Sequence, residues 1–289
     1  MRRLILAAVS LLAILIPAAS ANAALTGEYV RFTTCPTANA AVDGCVYAET
    51  NSGNFTMGAK AVPLKNQVVL KGGFDSDDGS IFGNLTFVAP TDGVALSKAP
   101  QPVPGGLTGI VAPSWWPSIL RDLFNETINN GFTGVTATVE LAAPASAIKF
   151  NAGAELFGVG TALSMPVKVK LSNPFLGSNC YIGSNSNPIT LNLTSGTTSP
   201  PPPNTPISGN PGELAVIEEG NIIATKNNKL VDNSFGAPGA NGCGGILFSW
   251  AVDPFVNSIV GVPAAAGTNT AILEGNTYIA DANAVRARR

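Results

Sequence analysis

LSMPVKVKLSNPFLGSNCYIGSNSNPITLNLTSGTTSPPPPNTPI, residues 163–207, decides how this chain is read. Val167, Val169 and Leu171 fall on one side of an extended run, with Lys168 and Lys170 on the other. Ile189, Leu191 and Leu193 repeat the pattern against Thr190, Asn192 and Thr194. A period of two is the mark of half-buried strands. The crossing between the two runs is rich in Gly and Asn and carries Cys180. Pro200–Pro203 and Pro206 then form a stiff polyproline segment. With strands expected on both sides, residues 199–206 read as a rigid surface crossover within one domain.

Outward from this stretch, short strand signals alternate with turn signals. Leu25 to Phe32 reads as a strand. Cys45 to Thr50 and Phe55 to Ala59 read as two more, joined by a turn at Asn51-Ser-Gly53. Val135, Ala137, Val139 and Leu141 alternate with Thr136, Thr138 and Glu140. Leu214 to Ile217 and Asn221 to Lys226 read as a hairpin turning at Glu218-Glu219-Gly220. Thr270 to Leu273 and Thr277 to Ala280 close the series. One clear helix is predicted over 117–130: Pro117 suits its first turn, and Gly131 suits the position after its end. Ile119, Leu120, Leu123, Phe124 and Ile128 share a face at helical spacing. A second, shorter helix is expected near Asp253, read as its cap, with Pro254 in its first turn. Many short strands with 31 Gly and 22 Pro argue for a mainly β protein, a β-sandwich or barrel-like single domain with one or two short helices.

The N-terminus has the form of an export signal. Arg2 and Arg3 precede the apolar run Leu4–Ile16, Pro17 ends it, and Ala21-Asn22-Ala23 is a small-x-small cleavage sequence. Cleavage between Ala23 and Ala24 gives a signal peptide of 1–23 and a mature domain of 24–289. Nothing after it is long and apolar enough to span a bilayer. Four cysteines in an exported chain read as two disulfides. Three pairings are open, and Cys35–Cys45 with Cys180–Cys243 is favoured. The first pair is close in sequence across a turn-rich segment; the second encloses the Pro run. The basic tail within 282–289 reads as disordered.

Composition removes whole classes of chemistry. The chain has no histidine, so Ser-His-Asp systems, Cys-His systems and histidine-held metals are excluded. Charged residues are 12%, about half the usual share. Removing Arg2 and Arg3 takes the formal charge from −2 to −4, too mild to select a partner. A nucleic-acid partner is not expected, nor is a cofactor or a metal. Asp75, Asp77 and Asp78 beside Gly79 read as a solvated turn, since they match a calcium loop poorly. Glu218 and Glu219 read as turn residues. Ser146-Ala-Ile-Lys149 has a Ser-x-x-Lys spacing without the helix or companion motifs that such chemistry needs. Trp115 and Trp116 read as a sugar-stacking or membrane-interface pair, or else, with Ile119, Leu120, Leu123 and Phe124, they pack the predicted helix on the core or close an apolar pocket as a lid.

Residues 173–209, NPFLGSNCYIGSNSNPITLNLTSGTTSPPPPNTPISG, resemble a family of uncharacterised secreted proteins of actinobacteria. So do GVTATVELAAPAS (134–146), KNNKLVDNSFGAPGANGCGG (226–245) and the opening around Cys35 and Cys45. The resemblance implies export and paired cysteines, and it brings no catalytic or binding residue. The leading expectation is a secreted, non-enzymatic extracellular or cell-envelope protein that binds or builds the surface. A carrier of a small apolar ligand, such as an envelope lipid, stands second. A carboxylate-based glycoside hydrolase stands third.

Overall fold

The computed structural model describes residues 24–77, 82, 85–129 and 131–289. The expected signal peptide lies outside the described residues, as does Asp78 of the acidic turn. Fourteen strands form one antiparallel sheet: β1 (Gly44–Met57), β2 (Lys60–Pro63), β3 (Val68–Ser76), β4 (Leu85–Val88), β5 (Gln101–Pro102), β6 (Thr136–Leu141), β7 (Lys149–Phe150), β8 (Leu163–Ser172), β9 (Tyr181–Ile182), β10 (Ile189–Leu193), β11 (Glu213–Ile217), β12 (Ile222–Asp232), β13 (Ala240–Asn241) and β14 (Thr270–Asp281). The α-helices are α1 (Ser118–Asn129), α2 (Ala152–Phe157), α3 (Gly245–Val260) and α4 (Ala282–Arg286).

The alternation in 163–207 appears as predicted. On β8 every second residue from Leu163 to Leu171 is buried, and on β10 Ile189, Leu191 and Leu193 are buried while Thr190 and Asn192 are exposed. The two strands pair with Leu191 opposite Met165. Pairing runs β12–β14–β1–β3–β4–β7–β8–β10. It then returns from β10 to β12 through the bridge between Thr194 and Val231, whose backbone N–H groups donate to each other's carbonyls at 2.9 and 2.8 Å. The sheet therefore closes into a barrel, and closure removes most of the free edge that an open sheet would present. Its interior holds the main core, including Phe55, Leu70, Phe74, Phe87, Met165, Val167, Leu191 and Leu193.

Several expectations are corrected. Asn51–Gly53 is not a turn: β1 runs through it for 14 residues, with a bulge between Thr50 and Ser52. Pairing with β14 over nearly its whole length outweighs the local turn signal. Thr270–Asp281 is likewise one continuous strand. Leu25–Phe32 is no strand; Gly27–Phe32 forms a 3-10 helix whose Tyr29 and Phe32, three residues apart, are both buried. Asp253 does not begin a helix. α3 starts at Gly245, and the Asp253 carboxylate reaches back to accept from the backbone N–H of Cys243 at 2.7 Å and Gly242 at 3.2 Å. The tail 282–289 is not disordered. Asp281 caps α4 by accepting from Asn283 and Ala284, and Ala282 and Val285 are buried. Arg286 donates to the carbonyls of Thr37, Asn39 and Val42, and Arg289 to those of Phe32, Thr33 and Cys35. α4 and the N-terminal 3-10 helix thus share a second, smaller core with Ile222, Ala224 and Tyr278 on the outer face of the barrel.

Both expected disulfides are present, Cys35–Cys45 and Cys180–Cys243. The first staples the N-terminal segment to β1, and the second ties the crossing before β9 to the residues that open α3. The Pro-rich crossover lies on the barrel, where Asn204 donates to the carbonyls of Asn233 and Asn269, both at 2.9 Å.

Candidate functional site

Two helices stand out from the barrel with many of their apolar side chains uncovered, although Val256 of α3 is buried in the main core and Val252 and Val260 pack against it. α1 leaves the barrel after β5 and returns before β6; α3 leaves after β13 and returns toward β14. The α1 excursion begins near the C-terminal end of α3, where Gly109 lies beside Ile259. It ends near the start of α3: Phe132 meets Phe175 with ring centroids 4.7 Å apart, and neighbouring Leu176 accepts from the Gly244 N–H at 2.8 Å. The two excursions therefore flank one face.

That face is apolar and open. Ile246 is 99% exposed, Ile119 81%, Trp115 79% and Trp250 78%. Ile110, Leu120, Leu123, Phe132, Phe175, Leu247, Phe248 and Phe255 are exposed around them. All three tryptophans of the chain are here. A soluble surface tolerates single exposed apolar residues, but this many on two adjoining excursions mark an interaction site. The array carries little charge. α3 holds one ionisable side chain, Asp253, and it is spent on backbone N–H groups. On the start of α1, Arg121 and Asp122 are neighbours, with a closest approach of 3.9 Å.

The six side chains assigned to a lid lie together. Trp115, Trp116, Leu120, Leu123 and Phe124, with Pro117 and Thr127, line an open concavity of about 570 Å³, and Ile119 projects beside it. Trp116 packs edge-on against Trp115 and Phe124, at centroid distances of 6.2 and 5.5 Å. The walls come from the α1 segment alone, so the helix is not packed on the barrel core.

The other sequence candidates are scattered. Asp75 lies on β3 and Asp77 just beyond it, and among the described residues no cluster of three or more metal-ligating side chains forms. Glu218 and Glu219 make the turn between β11 and β12, both at positive φ. Ser146 and Lys149 border an open polar groove with Thr86, Asn151, Ser164 and Asn192.

Two acids missed by sequence reasoning are buried. Glu155 on α2 is 2% exposed, and its Oε1 accepts from Asn228 Nδ2 at 2.7 Å and Thr225 Oγ1 at 2.9 Å. Burial pushes its carboxyl above the ordinary range, and the neutral donors Thr277, Thr225 and Asn228 only partly offset this. Asp232 on β12 is also raised by burial, and its oxygens accept from the backbone N–H of Asn192 and Ser234. The two acids hold different partners at opposite parts of β12. They do not form the facing pair across a cleft that glycoside hydrolysis requires. The exposed side chains of α3 were also missed: the polar residues Asp253 and Asn257 share a face and accept from backbone N–H groups of residues 240–243, which leaves Ile246, Leu247, Phe248, Trp250 and Phe255 exposed.

No known protein family matches this chain, and no curated protein or solved structure is similar to it.

Proposed function

We propose that this protein is exported and acts without catalysis, seating itself on a lipid layer of the cell envelope through the apolar face of α1 and α3. The observation that carries the reading is the gathering of all three tryptophans on that face, Trp115 and Trp250 almost fully exposed. Indole prefers the boundary between headgroups and acyl chains. α3 has 16 residues and is about 24 Å long. No helix among the described residues is long and apolar enough to cross a membrane. Too short to span, α3 presents Phe248, Trp250 and Phe255 to the headgroup–acyl boundary that aromatic side chains favour. A second protein would need a complementary, pre-packed surface. Here the exposed side chains make an uneven relief, and a fluid acyl layer fits any such relief. The side chains assigned to a lid become part of the seat. Export rests on the leader-like residues 1–23, the two disulfides and the resemblance of four segments to secreted actinobacterial proteins.

The tryptophans report directly on the test. Added to neutral phosphatidylcholine vesicles, the protein is expected to co-float with them and its tryptophan emission to shift to the blue. The lack of basic residues on α3 predicts little loss of binding at high salt. Trp250→Asp should weaken partition about 10-fold or more, since burying one large apolar side chain contributes roughly 1.5–3 kcal/mol. Unshifted emission with no co-flotation refutes the lipid reading. Concentration-dependent self-association without vesicle binding would assign the face to a second copy of the chain.

A further inference from the structure

A second feature lies where β1, β14 and β12 run side by side. Gly275 of β14 faces a bulge on each side: Asn51 is the extra residue in β1, and Asn227, at φ +55°, is the extra residue in β12. A Cβ at Gly275 would collide with the Glu49 carbonyl, so glycine is required for the strands to approach there. Paired bulges interrupt the wall and re-aim side chains. Outside them lies a polar depression of about 330 Å³ lined by Asn51, Ser52, Asn227, Glu274 and Asn276. Inside lies an apolar cavity of about 80 Å³ with Leu163, Met165, Leu191, Leu230 and Leu273 on its wall. Asn228 and Asn276 belong to both.

We propose that this cavity is a binding site for a small amphiphile, a short alkyl chain entering the barrel and a hydroxyl-type head held at Asn228, Asn276 and Thr277. A packing defect would have apolar walls. This cavity has Asn228, Asn276 and Thr277 in its wall, the first two shared with the outer depression, and Asn228 is fixed there by donating to Glu155, to Thr277 Oγ1 at 2.9 Å and to Thr225 Oγ1 at 3.2 Å. Glu49 lines the cavity and no Lys or Arg does, so the site favours a neutral head over an anionic one. The volume is about half that of a cavity known to hold benzene, which limits the chain to a few carbons. The site is separate from the α1–α3 face and stands without the lipid reading.

The test uses n-butanol and xenon on the whole mature protein, with the Met165 methyl resonance as reporter. Both probes are expected to shift it saturably. Ala48→Leu fills the cavity from β1 and should reduce both shifts at least 10-fold while the melting temperature shows the fold intact. Thr277→Val, which removes a polar wall group and keeps the volume, should weaken n-butanol several-fold and leave xenon unchanged. A response to xenon alone, an unmoved Met165 methyl, or shifts that survive Ala48→Leu would each overturn the proposal.

Discussion

Glu155 shows how a single side chain ties pH to this fold. Its carboxyl is buried among neutral donors, so its proton is held more tightly in the folded protein than in the unfolded chain. Below the ordinary value of 4.5 both states are protonated and the group costs nothing. Above it the unfolded chain releases the proton first, and stability falls with rising pH until the raised folded value is passed. Glu155→Gln keeps the Oε1 acceptor for Thr225 and Asn228 and removes the ionisation. The variant is expected to melt a few degrees higher at pH 7 and to lose the fall that begins near pH 4.5, at about 2–4 °C per kcal/mol. Thermal melts from pH 4 to 8 decide it: an unchanged slope in the variant would place the pH dependence elsewhere. This residue was invisible in the sequence. Ala-Gly-Ala-Glu-Leu-Phe reads as an ordinary surface turn of helix, and only the closure of the barrel over α2 removes the acid from water.

At the level of elements, what could be read was what has a local period. β8 and β10 announce themselves because one face of each is core and the other is solvent, and α1 is bracketed in the sequence by Pro117 and Gly131. β1 could not be read whole, because Asn51-Ser-Gly53 is a turn by local preference and a bulge only when β14 lies alongside. The tail failed for the same reason: Arg286 and Arg289 look like solvated charge until the carbonyls of residues 32–42 are brought to them. The apolar side chains of α1 and α3 were legible in kind but not in placement, since periodicity tells that a face is apolar and not what will cover it. The cysteines were the long-range contacts the sequence did disclose. Cys180–Cys243 spans 63 residues and holds the start of α3 against β9. Replacing both by Ala is expected to cost about 4 kcal/mol on loop entropy, an upper estimate. It should also release the first turn of α3, so vesicle partition should fall along with the melting temperature. Loss of stability with partition unchanged would show that the disulfide does not position the seat.

For the whole molecule, the barrel separates two surfaces of different character. The helical side is apolar and almost uncharged, while the wall exposes Lys, Thr and Asn, as on β8 and β10. On the proposed lipid reading, the helical side meets the layer and the wall stays in water. The main core and the smaller core under α4 meet across β1, β12 and β14, so they should unfold together. A single thermal transition is the expected outcome, and two resolved transitions would show that the α4 clasp is an independent unit.

The pairing of β1 with β14 sets the order of events when the chain is made. Gly44 lies beside Asp281 and Thr56 beside Thr270, so the first strand waits for the fourteenth. Contacts this distant in sequence form slowly, because the loop between them must be closed before they are rewarded. A nascent chain therefore has no native barrel until β14 has emerged. A polypeptide that stays open for the length of its own synthesis is the kind that a translocation channel accepting only unfolded chains can thread.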